Sequence, residues 1–317
     1  TLEDSKGNIG IGSCATKNDS EESTKECFDK LNSFSSSLIG KELAPDENTF
    51  DWIASELPLN TEANAAVDIA LHDLWAKSQK KMLVDVLGKK HQSFDTSITI
   101  GVSSLEKTIE MAKKHIDNGF SILKIKIGDC VEEDIERMEA LFELKPEKIK
   151  IRVDANRGYS KQELIKFYDE TVDLGLELIE QPMEVDQNNE MLYFPEEIKK
   201  ICVADESLQN FDHAVRLVQE PKPFGVFNIK LMKCGGIFAA RKIAALAHEN
   251  DIKLMWGCFD ESKLSISAAL HTALSCENTE YIDLDGFFDL GWDLVEGGYT
   301  CENGIMSVIE KPGLGAY

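Results

Sequence analysis

Positive charge is scarce in this sequence. Its 317 residues carry 34 Lys and Arg against 57 Asp and Glu, a formal net charge of −23. Such a surface repels phosphate backbones and anionic headgroups, which excludes nucleic acids and membrane surfaces as partners. No run approaches the roughly 18 apolar residues of a membrane span, and no basic-then-apolar segment opens the chain. The eight cysteines (14, 27, 130, 202, 234, 258, 276 and 301) form no C-x-x-C pair. They read as reduced thiols, not as a disulfide frame or a zinc site. The histidines carry no motif, and low-complexity tracts and short repeats are missing. What is present is a 43% apolar fraction, enough for a sizeable core, and 29% charged residues to cover it. Together these point to an acidic cytoplasmic enzyme of about two domains, or one large barrel with an appendage.

Residues 1–11 read as a strand, a turn and a second strand, with an edge strand expected before them. Helical spacing covers Ser20–Leu43 and, more clearly, Thr61–Lys80, where Val67, Ala70, Leu71, Leu74 and Trp75 share a face. This first region, 1–95, reads as a capping domain without chemical motifs of its own. From residue 96 short strands alternate with amphipathic helices. Ser103 and Glu106 are placed as a capping box before the helix through Leu105, Ile109, Ala112 and Ile116. The alternation runs through about eight strands to 281–285, which predicts a parallel sheet closed into a barrel over 96–286. The segment 287–317 reads as a return into the capping domain.

Buried parallel strands should be almost continuously apolar, yet here strand after strand ends in a charge. In Ile122–Ile127, period two places Leu123, Ile125 and Ile127 on one face and Ile122, Lys124 and Lys126 on the other. Asp154, Glu180, Asp205 and Lys230 close the next apolar runs, at successive separations from Lys126 of 28, 26, 25 and 25 residues. Each step is about one βα unit, so these groups return to the same C-terminal rim, where barrels of this kind carry their active sites. A lone charge at a strand end is ordinarily solvated or caps a helix. Three carboxylates on consecutive strands are different, because without a cation they repel and resist ionisation. Hard oxygens with open positions suit Mg²⁺, and flanking lysines complete a site for removing a proton beside a metal-bound carboxylate.

The motifs K-I-K (124–126), D-A-N (154–156), E-Q-P (180–182), A-D-E-S (204–207) and N-I-K-L-M-K-C-G-G (228–236) resemble, in order, those of the enolase superfamily, and within it the muconate-lactonizing-enzyme subgroup. The resemblance covers essentially the whole chain. It implies an α/β fold, a (β/α)7β TIM-like barrel behind an N-terminal α+β capping domain. It further implies one Mg²⁺ held by Asp154, Glu180 and Asp205, with Lys126 and Lys230 as the acid/base pair and an enediolate intermediate. Lys124 would lower the pKa of the neighbouring ammonium, and Asn156 would support the metal site. Lys233 is expected to be a helix-start or loop residue.

Asp283-Leu284-Asp285 at the eighth strand resembles the D-x-D of dipeptide epimerases, which binds the free α-ammonium of a dipeptide. Paired carboxylates are good acceptors for an ammonium; loop aspartates capping backbone N–H groups are the alternative. Glu261 is either a substrate contact or a helix-start carboxylate. The resemblance implies epimerisation at the α-carbon of the second residue of a dipeptide, L-Ala-D/L-Glu by default. N-acylamino-acid racemisation, cycloisomerisation and o-succinylbenzoate synthesis are the alternatives on this scaffold, and a non-catalytic binding barrel is the alternative outside it. The resembling family has a loop near residues 14–19 that closes over the substrate, and here it is short. The partners expected are a small dipeptide and, without further specification, a second copy of the chain.

Overall fold

The computed structural model describes residues 1–16, 21–58 and 60–317. Residues 17–19 of the short loop, and Ser20 at the expected helix start, lie outside these.

The chain opens with an antiparallel pair, β1 (Leu2–Glu3) and β2 (Ile9–Gly10). Three helices follow: α1 (Glu21–Leu38), α2 (Glu47–Glu56) and α3 (Thr61–Ser78). Cys27, Phe34, Phe50, Ile53, Leu57, Ala63 and Val67 form a small core of their own. The alanine-rich α3 is buried on most sides because β2 lies on it and the barrel lies behind it. A Cβ on Gly10 or Gly12 would come within 2.2 or 2.0 Å of an α3 carbonyl oxygen, so only glycine allows that approach.

After β3 (Phe94–Asp95) the barrel strands are β4 (Ile98–Ile100), β5 (Ile122–Lys126), β6 (Lys150–Asp154), β7 (Leu178–Glu180), β8 (Cys202–Ala204), β9 (Val226–Ile229), β10 (Lys253–Gly257) and β11 (Thr279–Asp283). All eight are parallel and follow one another around the sheet in chain order. Leu123, Ile125 and Ile127 pack outward into the main core, as period two predicts. Leu178, Val203, Val226 and Met255 fill the interior with Tyr281. Arg152 crosses this interior to donate to Ile282 O at 2.8 Å.

Main-chain pairing nearly fails at the seam between β11 and β4. One bridge, Thr96 to Ile282, is made there. Side chains supply the rest: Thr96 Oγ1 accepts from Leu284 N (2.9 Å), Ser97 Oγ donates to Asp283 Oδ1 (2.6 Å), and Thr99 N donates to Asp285 Oδ2 (2.7 Å).

A hairpin, β12 (Tyr299–Glu302) and β13 (Ile305–Val308), pairs with β3. The chain end then docks on the cap, with Leu83 N donating to Gly313 O and Leu314 N to Asp73 Oδ1, both at 2.8 Å. The capping box placed on Ser103 and Glu106 is not formed. Ser104 is the N-cap of the helix Leu105–Asp117, and Ser103 Oγ pairs with Thr108 Oγ1. A complete capping box stands instead at Ser160 and Glu163. No helix among the described residues is long and apolar enough to cross a membrane.

Candidate active site

Lys126, Asp154 and Glu180 are consecutive register partners at the ends of β5, β6 and β7. Asp205 follows β8 by one residue, and Lys230 follows β9 by one. Strand closure thus gathers the five groups on one rim. Lys126 donates to Asp154 Oδ2 and Asn156 Oδ1, both at 2.7 Å, and Lys230 donates to Asp205 Oδ2 at 3.0 Å. Asn156, at φ 42°, turns its own amide back onto Asp154 Oδ1 at 3.0 Å. The Lys126 side chain is 28% exposed and that of Lys230 12%. Lys230 also lies 5.0 Å above the Phe259 ring.

Lys124 is buried inside the barrel and reaches three carboxylates: Asp154 Oδ2 at 3.0 Å, Glu180 Oε2 at 2.7 Å and Asp283 Oδ2 at 2.7 Å. Burial opposes its charge, but Asp154, Asp283 and Glu180 outweigh that and raise its pKa well above the ordinary lysine value. Its charge in turn acts to lower the pKa of Lys230, although Asp205 and Glu180 leave Lys230 raised.

Asp283 ends β11, while Asp285 lies just beyond the strand, not within it as the reading of a last strand over 281–285 suggests. Both are buried. Burial raises the Asp283 pKa, but Lys124 and Ser97 hold it below the usual range. Asp285 is pushed up to about 6 by burial and by the charge of Asp283. Glu261 accepts from Phe259 N at 2.9 Å and is pushed up to about 7 by burial. It closes the turn after β10. The helix start is served by Ser262 and by Asp293, whose Oδ2 accepts from Lys263 N. That turn and the cap enclose a cavity of about 580 Å³ lined by Cys14, Thr16, Thr24 and Phe28 on one side and Phe259 and Asp260 on the other.

Three further residues belong to this rim. Lys233, read from the sequence as a loop or helix-start residue, is buried against Asp205. Asn228 Nδ2 donates to Glu180 Oε1 at 2.7 Å. Gln181 Oε1 accepts from Asp205 N at 3.1 Å and Ser207 N at 3.0 Å. Asn228 could have been found from its position two residues before Lys230, on the same face.

The donor set fits a hard divalent cation. Asp154, Glu180, Asp205, Asp283 and Asp285 outnumber Lys124, Lys126, Lys230 and Lys233. Glu180 is pushed up to about 8 by burial and by Asp154, even with Lys124 beside it. Among the described residues the carboxylates do not surround one common point; Asp154, Glu180, Asp205 and Asp283 are turned to ammonium groups and Asp285 to the Thr99 amide.

Family models match at both ends of the chain: the mandelate racemase/muconate lactonizing enzyme N-terminal domain over residues 1–88, and the enolase C-terminal domain-like region over 107–317. The chain belongs to this family, within the enolase superfamily. The L-Lys-D/L-Arg epimerase of Desulforapulum autotrophicum is 47% identical over 278 residues, covering 88% of this chain and 78% of that protein. The L-Ala-D/L-Glu epimerase of Clostridium acetobutylicum is 35% identical, covering 98% and 87%. The dipeptide epimerase from Methylococcus capsulatus, solved with Mg and the dipeptide L-Arg-D-Lys, superposes with a TM-score of 0.95 at 39% identity, over 99% of this chain and 89% of that one. Family and fold are those implied by the ordered motifs.

Proposed function

We propose that this protein is an Mg²⁺-dependent dipeptide epimerase that inverts the α-carbon of the second residue. The observation that carries this reading is the rim itself: carboxylates on three consecutive strands, a lysine on either side, and a second carboxylate pair at the eighth strand. Asp154, Glu180 and Asp205 would hold the cation, which when bound supplies Lewis-acid charge to the substrate carboxylate. Lys126 and Lys230, four strands apart on the rim, would stand on opposite faces of the α-carbon. One takes the proton in its neutral form and the other returns a proton as an ammonium. Asn156 holds Lys126 and Asp154 in place. Asp285, buried with a backbone amide as its donor, would accept the substrate ammonium with Asp283.

Cationic dipeptides are favoured over L-Ala-D/L-Glu as its substrates. The relatives that act on L-Lys-D/L-Arg, at 47% and 43% identity, support this choice. The test is a dipeptide panel incubated with the purified protein and Mg²⁺ in D₂O, read by mass spectrometry. Single-deuterium incorporation, fastest for Lys- and Arg-containing dipeptides and abolished by chelator, is expected. Exchange in acylated amino acids but not in free dipeptides would overturn the reading, and faster exchange in L-Ala-L-Glu would overturn its cationic part.

A further inference from the structure

We propose that Lys233 is a positioning residue: it fixes the Asp205 carboxylate in the orientation needed to hold the cation and to face Lys230. The inference rests on the metal site proposed above and concerns a residue outside it.

Lys233 belongs to a one-turn helix, Leu231–Cys234, that begins directly after Lys230. That turn carries its side chain back beneath the rim, where it is 3% exposed. Its ammonium has three protons and meets three acceptors: Asp205 O at 2.7 Å, Asp205 Oδ1 at 2.5 Å and Asn228 O at 3.1 Å. So saturated and so buried, it has no donor left for a substrate. Binding both the main-chain and the side-chain oxygen of one residue fixes the direction of that side chain. With Oδ1 held, Oδ2 is the oxygen left toward the site, 3.0 Å from Lys230 Nζ. The Asp205 backbone is pinned from the other side, its N–H donating to Gln181 Oε1. Lys233 also joins the ends of β8 and β9, the strands that bring Asp205 and Lys230 together.

A strand-joining role alone would affect folding without selecting among the site's functions, so the test reads two quantities it does not move. One is the Mg²⁺ dissociation constant by calorimetry on the folded protein. The other is the ratio of solvent-deuterium exchange from the two epimers of one dipeptide, which compares Lys230 with Lys126. Lys233→Met should weaken Mg²⁺ binding about tenfold or more and change the exchange ratio. Lys233→Arg keeps the charge and so favours folding, but its planar fork cannot meet three acceptors from one point. It too should bind Mg²⁺ more weakly and show a changed ratio. Wild-type Mg²⁺ affinity and an unchanged ratio in whichever variant folds would overturn the proposal. Failure of the wild-type protein to bind Mg²⁺ or exchange the proton would instead overturn the metal-site reading.

Discussion

The ammonium of Lys124 lies 2.7 Å from Asp283 Oδ2, joining the second barrel strand to the eighth across the seam, with β4 between them. The same ammonium meets Asp154 and Glu180, so two carboxylates proposed for the metal and one proposed for the substrate ammonium share one counter-ion. Removing one partner from a buried ion cluster typically destabilises by about 3–5 kcal/mol. Lys124→Met should therefore lower the chelator-treated protein's stability by about that amount. Added Mg²⁺ should recover more stability in the variant than in the wild type, because it supplies the missing charge. Denaturant titrations with and without Mg²⁺ check this, and equal Mg²⁺ effects in the two proteins would refute it.

The two-lysine arrangement makes an asymmetric prediction. Lys126→Ala should abolish proton abstraction from one epimer of the substrate, and Lys230→Ala from the other, each by several orders of magnitude. Deuterium entering one epimer alone in each variant is the expected outcome; normal epimerisation by either variant would exclude a two-base mechanism.

Asp285 decides between free and acylated substrates. Charge-assisted hydrogen bonds contribute about 1.5–3 kcal/mol, so Asp285→Asn should lower kcat/KM for a free dipeptide roughly ten- to hundredfold. Acetylating the dipeptide should affect the wild type strongly and the variant much less, since both changes remove one interaction. The measurement is a two-by-two set of kcat/KM values, and strictly additive losses would show that Asp285 does not see the ammonium.

His271 couples stability to pH at the cap–barrel boundary. It is wholly buried, its Nδ1 accepts from Val84 N at 2.9 Å, and burial lowers its pKa to about 3. Between this value and the ordinary histidine value near 6.5 the unfolded chain binds the extra proton, so stability falls as pH drops through that window. From pH 6.5 to 5 this one group accounts for about 2 kcal/mol. His271→Asn, with an amide oxygen in place of Nδ1, should have a correspondingly flatter stability profile. Parallel pH profiles in the two proteins would contradict the assignment.

Much of this site was legible because it breaks a rule visible in one dimension. Apolar strands that end in Asp154, Glu180, Asp205 and Lys230 need a reason, and their even spacing identifies the rim. Lys233 broke no rule. A lysine four residues past a strand reads as a helix-start or loop residue, and its burial comes with bonds to the main-chain oxygens of Asp205 and Asn228, which leave no mark in side-chain patterns. The pairing of Lys124 with Asp283 spans 159 residues and exists only once the barrel closes. Local competition hid the helix start at Ser104: Ser103 and Ser104 both suit a cap, and the adjacent Thr108 hydroxyl took Ser103.

The thinly paired seam bears on how such a protein can change its ligand. Asp283 and Asp285 are bonded to Ser97 and Thr99 across the seam, so the residues that would greet the substrate also lace the cylinder shut. Any lineage that exchanges them for another chemistry must find a second way to join its first and last strands. A substitution at 283 should therefore arise together with a change at 97, whereas Asp285, held by a main-chain amide that any residue but proline supplies at 99, can change alone.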